Sequence, residues 1–162
     1  IARDMAQKVI LGASNDLQSL YVANNVCSAV EYFRKLGGNV GVAGLVINKD
    51  DGSGEAAAFA ETVKIPILAS IPQDDDLRKK SANYHIVGTK ESQWGELFAE
   101  LGTNTAEAPP LRPKPLDQDG LLDLFSASET GADFVLQPAS DADMRGKFAK
   151  PKESLEVVYD EV

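Results

Sequence analysis

The chain has 162 residues, 43% of them hydrophobic, enough for one ordinary domain with a real core. Its formal net charge of −9 is unevenly spread: residues 106–162 carry 12 acidic against 6 basic side chains. An acidic surface argues against nucleic-acid binding, which needs clustered Lys and Arg, and no apolar run is long enough for a membrane span. With Cys27 as its one cysteine, the chain excludes an internal disulfide framework and a thiolate metal site of its own, and a reducing, cytoplasmic setting is the default. The first residue is Ile1 rather than Met, so the chain reads as a piece of something longer.

In chain order, Lys8 to Ala13 is a short apolar run of strand length. Ser14-Asn15-Asp16 follows, with residue types that cap helix N-termini. Residues 17–36 read as one long helix with Leu20, Ala23, Cys27, Val30 and Phe33 as its core stripe, closed by Gly37-Gly38. Val40 to Ile47 is a second strand, apolar almost throughout as befits one covered on both faces. Residues 53–63 suit a short alanine-rich helix with Ser53 as its cap, and Ile65 to Ile71 a third strand with Pro66 near its start. Pro72 to Asp76 opens a turn and a helix through Lys80, and residues 90–102 form an amphipathic helix ending on Gly102. Strand and helix alternating three times indicate a parallel α/β sheet flanked by helices.

From about residue 106 the texture changes. Residues 106–120 are proline-rich and polar, a linker or extended arm. Residues 121–125 suggest a short helix, 134–136 a strand, and 155–159 a terminal strand. The expected organisation is a sheet domain over residues 1–105 and an acidic, proline-led extension over 106–162.

In open parallel sheets, ligands bind beyond the carboxyl ends of the strands. Three such ends are visible, at residues 13–16, 48–51 and 72–75, each rich in hydrogen-bonding side chains. Asn48 offers both a donor and an acceptor, which suits the edge of an adenine. The plainer reading of the residues alone is a strand terminator, with Asp50-Asp51-Gly52 a turn. His85 has no partner arrangement for a triad, and Cys27 falls on the buried helical stripe, where a free cysteine acts as a small hydrophobe. Asp74-Asp75-Asp76 offers oxygen ligands for a divalent cation, or simply an acidic helix start favoured by the dipole. Trp94 and Phe98 suit a core better than a stacking platform. No phosphate-cradling G-x-x-x-x-G-K-[ST] loop occurs, so a nucleotide would be held here only by its base end.

Three motifs in order carry a family resemblance over residues 1–103. Ser14 to Asn25 (SNDLQSLYVANN) resembles a helix start in the nitrogenase iron-protein family, Gly44 to Lys49 (GLVINK) its strand ending in asparagine and a basic residue, and Ile71 to Asp74 (IPQD) its proline–x–aspartate turn. Residues 14–27, 33–52 and 154–160 resemble most the branch of that family that serves chlorophyllide a reduction. The resemblance implies the C-terminal half of a P-loop ATPase homodimer that uses ATP with Mg2+ and shares one [4Fe–4S] cluster between protomers. Such a dimer, charged by a donor such as ferredoxin, passes electrons to a two-subunit catalytic component that reduces a chlorin ring double bond on the route to bacteriochlorophyll.

By the same resemblance, Asn48 matches an adenine contact, Lys49 its neighbour, Pro72 and Asp74 residues at the base and ribose side, and Gln93 a further one; Asp16 falls near an interfacial acid. The P-loop lysine, magnesium-binding groups and cluster cysteines match nothing in this chain, so by itself it is expected to be inactive. The alternatives are a partitioning or scaffold ATPase of the same P-loop superfamily without redox chemistry, and a regulatory module without catalysis.

Overall fold

A computed structural model describes residues 6–126. Three strands, β1 (Lys8–Ala13), β2 (Gly41–Asp50) and β3 (Ile67–Pro72), form one sheet in the order β1-β2-β3 with both pairings parallel. Helices α1 (Leu17–Lys35) and α2 (Glu55–Val63) make the two crossovers; α3 (Asp75–Ala82), α4 (Gly95–Glu107) and α5 (Gln118–Ser126) follow β3. The expected alternation of strand and helix is therefore the observed one. The strand expectations at 134–136 and 155–159 lie outside the described residues.

β2 is the central strand, and every residue from Gly41 to Ile47 is buried. Its register slips against β1 between Val9/Ile10, whose partners are Val42 and Gly44, leaving Ala43 as the extra residue. That slip brings Val42, Leu45 and Ile47 into one cluster with α1, α2 and Leu121 of α5. Ala43 and Val46 join Leu68 in a second cluster, against which Leu101 of α4 packs. A side chain at Gly44 would stand 2.6 Å from the Pro66 carbonyl oxygen, so only glycine lets β3 come this close.

α1 buries Leu20, Ala23, Asn24, Cys27 and Val30, the expected stripe with Asn24 added and Phe33 only half-buried. Asp16 is its N-cap, accepting from the Ser19 N–H at 2.8 Å. At the other end the Gly38 N–H bonds to Phe33 O and the Gly37 N–H to Arg34 O, with Gly37 at φ 91, which is a Schellman close.

Several helix ends differ from expectation: α5 spans Gln118–Ser126 rather than 121–125, and α3 runs to Ala82 rather than Lys80. α2 starts at Glu55 behind Gly54, and Ser53 does not cap it; its N–H and hydroxyl are taken by Asp51 at 3.1 and 2.7 Å. α4 starts at Gly95 because the Ser92 hydroxyl is held by the Val87 carbonyl and accepts from Trp94 N–H, which fixes the preceding residues as turns. α4 then runs through Gly102 to Glu107. Asn104 ties it to the Leu68 carbonyl at 2.8 Å, and the Lys8 ammonium donates to the carbonyls of Thr105, Ala106 and Ala108 at 2.9–3.0 Å. A cation on the last carbonyls satisfies them and suits the helix dipole.

The proline-rich stretch after α4 is an extended arm pinned to the sheet side. Leu111 exchanges backbone bonds with Val42 at 2.9 Å, the Lys114 N–H reaches the Val63 carbonyl, and the Asn24 amide both donates to and accepts from Leu116 at 2.8 Å. The arm thereby delivers α5 and Leu121 to the main core.

Candidate functional site

Beyond the carboxyl ends of β2 and β3 lies a cleft of about 510 Å³ lined by Asn48, Lys49, Pro72, Gln73, Asp74, Asp75, Leu77, Arg78, Ser81 and Ala82. Four of the five expected site residues, Asn48, Lys49, Pro72 and Asp74, therefore meet in one place. Gln93 does not line the cleft; its amide lies 3.4 Å from Asp76 on α3. α3 forms the wall facing β2, and sequence reading missed its contribution of Leu77, Arg78 and Ser81.

The lip of the cleft is a distortion in β2. Asn48 pairs with Ile71 and Asp50 with Pro72, so Lys49 is an extra residue on the β2 side, with φ 55. A residue with a Cβ is disfavoured in that left-handed region and persists there only where its surroundings hold it. Bulges beside binding sites re-aim side chains in this way. Asn48 and Lys49 are exposed, and the Asn48 amide makes no hydrogen bond among the described residues, leaving a donor and an acceptor open at the cleft mouth.

Asp74 serves the fold and the cleft together. Its Oδ1 accepts from the Leu77 N–H at 2.8 Å as the N-cap of α3. Asp75 pairs with Arg78 at 3.2 Å and Asp76 with Lys80 at 2.7 Å, both exposed pairs that contribute little to stability. The acidic triplet is thus a helix start with its own i,i+3 and i,i+4 partners. Among the described residues, no group of three or more His, Cys, Asp or Glu could hold a metal ion.

Behind the lip, Asp50 accepts from the Ser70 hydroxyl, the Gly52 N–H at 3.0 Å and the Asn15 amide at 3.0 Å, and these bonds hold its carboxyl below the ordinary 3.8. Asp51 accepts from Ser53 and from Asn15 at 2.8 Å, and is lowered to about 2. Residues 50–51, expected as either a plain turn or part of a lip, are therefore tied into a hydrogen-bonded junction between β1, β2 and β3. Sequence offered no signal for this, since Asn15 is 35 and 36 residues from its two carboxylate partners.

A second cleft of about 480 Å³ lies between α1 and α5, lined by Leu17, Gln18, Tyr21, Gln118, Leu121 and Leu122. It contains none of the expected site residues. Cys27 is fully buried in the main core, and burial pushes its thiol up to about 11. A neutral, enclosed thiol does not fit iron ligation, so the described residues offer no [4Fe–4S] ligand set. The cleft does fit the base end of a nucleotide: a free amide edge, a proline face, apolar Leu77 and Ala82, and a carboxylate and a hydroxyl at its margin.

Among the described residues no helix is long and apolar enough to cross a membrane. Comparison with known proteins agrees with the motif reading. Residues 1–130 match the family described as 4Fe-4S iron sulfur cluster binding proteins, NifH/frxC family. The chain is 74% identical over 161 residues to the chlorophyllide reductase 35.5 kDa chain of Cereibacter sphaeroides, covering 99% of this chain and 48% of that protein. It is 68% identical over 162 residues to the protein of the same name from Rhodobacter capsulatus, covering 49% of it. Nitrogenase iron protein 2 of Rhodobacter capsulatus is 26% identical over 122 residues, 72% of this chain. The chain spans about half the length of the curated relatives it matches. It belongs to the NifH/frxC family of 4Fe-4S iron sulfur cluster binding proteins.

Proposed function

We propose that this chain is the base-binding half of an ATP-dependent, electron-donating iron-sulfur subunit of chlorophyllide a reductase. The observation that carries the proposal is the 74% identity, over 99% of the chain, to a chlorophyllide reductase 35.5 kDa chain. A more distant relative, 27% identical over 127 residues, is named a light-independent protochlorophyllide reductase iron-sulfur ATP-binding protein, which supports ATP as the nucleotide.

In this reading the subunit is a cytoplasmic homodimer, charged by a donor such as ferredoxin, that delivers electrons to a two-subunit catalytic component. The bound cluster supplies the one-electron chemistry, and ATP with Mg2+ gates the transfer. The residues of this chain would serve the base: Asn48 would offer its amide to the adenine edge, Pro72 and Leu77 would supply apolar lining, and Asp74 and Ser81 would offer polar groups to the ribose. Lys49, in its bulge, sets the angle at which Asn48 meets the base. Gln93 reaches the base only if its weak contact to Asp76 is exchanged for one to the ligand. Phosphate and cluster ligands come from the part of the protein outside this chain.

The test is anaerobic purification of the full-length protein. About four iron atoms per dimer and MgATP-dependent electron donation to the catalytic component are expected. An iron-free dimer that still hydrolyses ATP would replace this reading with a partitioning or scaffold ATPase.

A further inference from the structure

Asn15 sits in the loop between β1 and α1 and is 7% exposed, yet the cap of α1 belongs to its neighbour Asp16. Every polar atom of its amide is used elsewhere. The nitrogen donates to Asp50 at 3.0 Å and to Asp51 at 2.8 Å, and the oxygen accepts from the Ala56 N–H at 2.9 Å. The last bond caps α2, whose N-cap residue Gly54 has no side chain to do so. One buried side chain thus joins the β1–α1 loop, the end of β2 and the first turn of α2.

Asp50 is gripped from the other side as well. The Ser70 hydroxyl on β3 donates to its second carboxylate oxygen, and the Asp50 carbonyl accepts from the Gln73 N–H at 2.9 Å. Asp50 is the residue immediately after the Lys49 bulge, and Gln73 is itself a wall of the cleft. The left-handed Lys49 is therefore held in place by an anchored residue on its C-terminal side and the β2–β3 pairing of Asn48 on the other.

We infer that Asn15 is a positioning residue for the base cleft. It touches no wall of the cleft; it fixes Asp50, Asp50 fixes the Lys49 bulge, and the bulge sets the reach of the Asn48 amide. Aspartate cannot replace it, having no two-proton donor to share between Asp50 and Asp51, and leucine would leave both carboxylates and the Ala56 N–H without this partner. The inference rests on the cleft being the base site, and its test separates the two.

The full-length protein is titrated with MgATP and with magnesium tripolyphosphate, which keeps the phosphate chain and lacks the base. The ratio of the two dissociation constants measures what the base half contributes. Asn15→Ala should shrink that ratio about fivefold, the loss expected from one misplaced hydrogen-bonding edge, with tripolyphosphate affinity unchanged. Placed on Asn48→Ala it should add nothing further, because both act through the same amide. If Asn48→Ala shrinks the ratio and Asn15→Ala does not, Asn15 is a structural tie and the inference is overturned while the base site stands. If neither changes the ratio, both fall. Should Asn15→Ala not fold, Ser70→Ala releases Asp50 from its exposed side and must shrink the ratio in the same way, or the inference is overturned.

Discussion

Replacing Asn24 by alanine tests how firmly the arm between α4 and α5 is part of the fold. Asn24 is 6% exposed and makes two bonds of 2.8 Å to the backbone of Leu116, one in each direction, as a neighbouring strand would. Each bond contributes about 1 kcal/mol net, and losing the amide also leaves the Leu116 N–H and C=O to find water. Leu116 is only half-buried, so rehydration is partial relief. The total is about 2–3 kcal/mol. The arm is not expected to detach altogether, because Leu121 of α5 is 2% exposed in the main core and re-exposing such a leucine would cost about 1.5–3 kcal/mol more. In the full-length protein, urea unfolding of Asn24→Ala should show this loss, and hydrogen exchange should quicken across residues 111–126 more than in β2. Asn25, the next residue, is exposed and makes no side-chain hydrogen bond among the described residues, so Asn25→Ala should stay within about 0.5 kcal/mol of the parent. Equal stability of the two variants would refute the clamp.

Two further outcomes follow from the titrating groups. Asp16, Asp50 and Asp51 are all lowered below 3.8 by hydrogen bonds, Asp51 to about 2, so their contribution is complete above about pH 4 and is lost as pH falls toward 2. Stability measured against pH should decline in that window, and Asp51→Asn should flatten the decline; an unchanged slope would contradict the junction described around Asn15. Cys27, fully buried with its thiol raised to about 11, should be alkylated near neutral pH only as fast as the protein unfolds. Labelling that outpaces unfolding would place Cys27 nearer the surface than the core allows.

Much of the architecture was legible because it is written in short-range patterns. The apolar runs at Lys8–Ala13 and around β2 announced strands, the stripe from Leu20 to Val30 announced α1, and Gly37 closed it as read. What failed locally did so where a side chain preferred another partner. Ser53 was drawn to Asp51 and Ser92 to the turn before α4, while α4 outran Gly102 because Lys8, almost a hundred residues earlier, caps its end.

The candidate site divides the same way. Strand ends in a parallel sheet are where ligands bind, which points to the ends of β2 and β3, and the resemblance of GLVINK and IPQD to family motifs is what singles out Asn48, Lys49, Pro72 and Asp74 there. Their neighbours on α3, the Lys49 bulge and the Asn15 junction depend on how strands register against one another. The Asn24 clamp, 92 residues across the sequence, depends on where the arm returns. No periodicity records such pairings.

The central claim is that the cleft between the β2 lip and α3 holds the base of ATP, with Asn48 on its edge. Equilibrium binding of MgATP to the full-length protein, compared with Asn48→Ala, tests it most directly. Loss of one or two hydrogen bonds to the base should weaken binding by about 1–3 kcal/mol, roughly five- to 150-fold. An unchanged ATP affinity would contradict the account by removing Asn48 from the site.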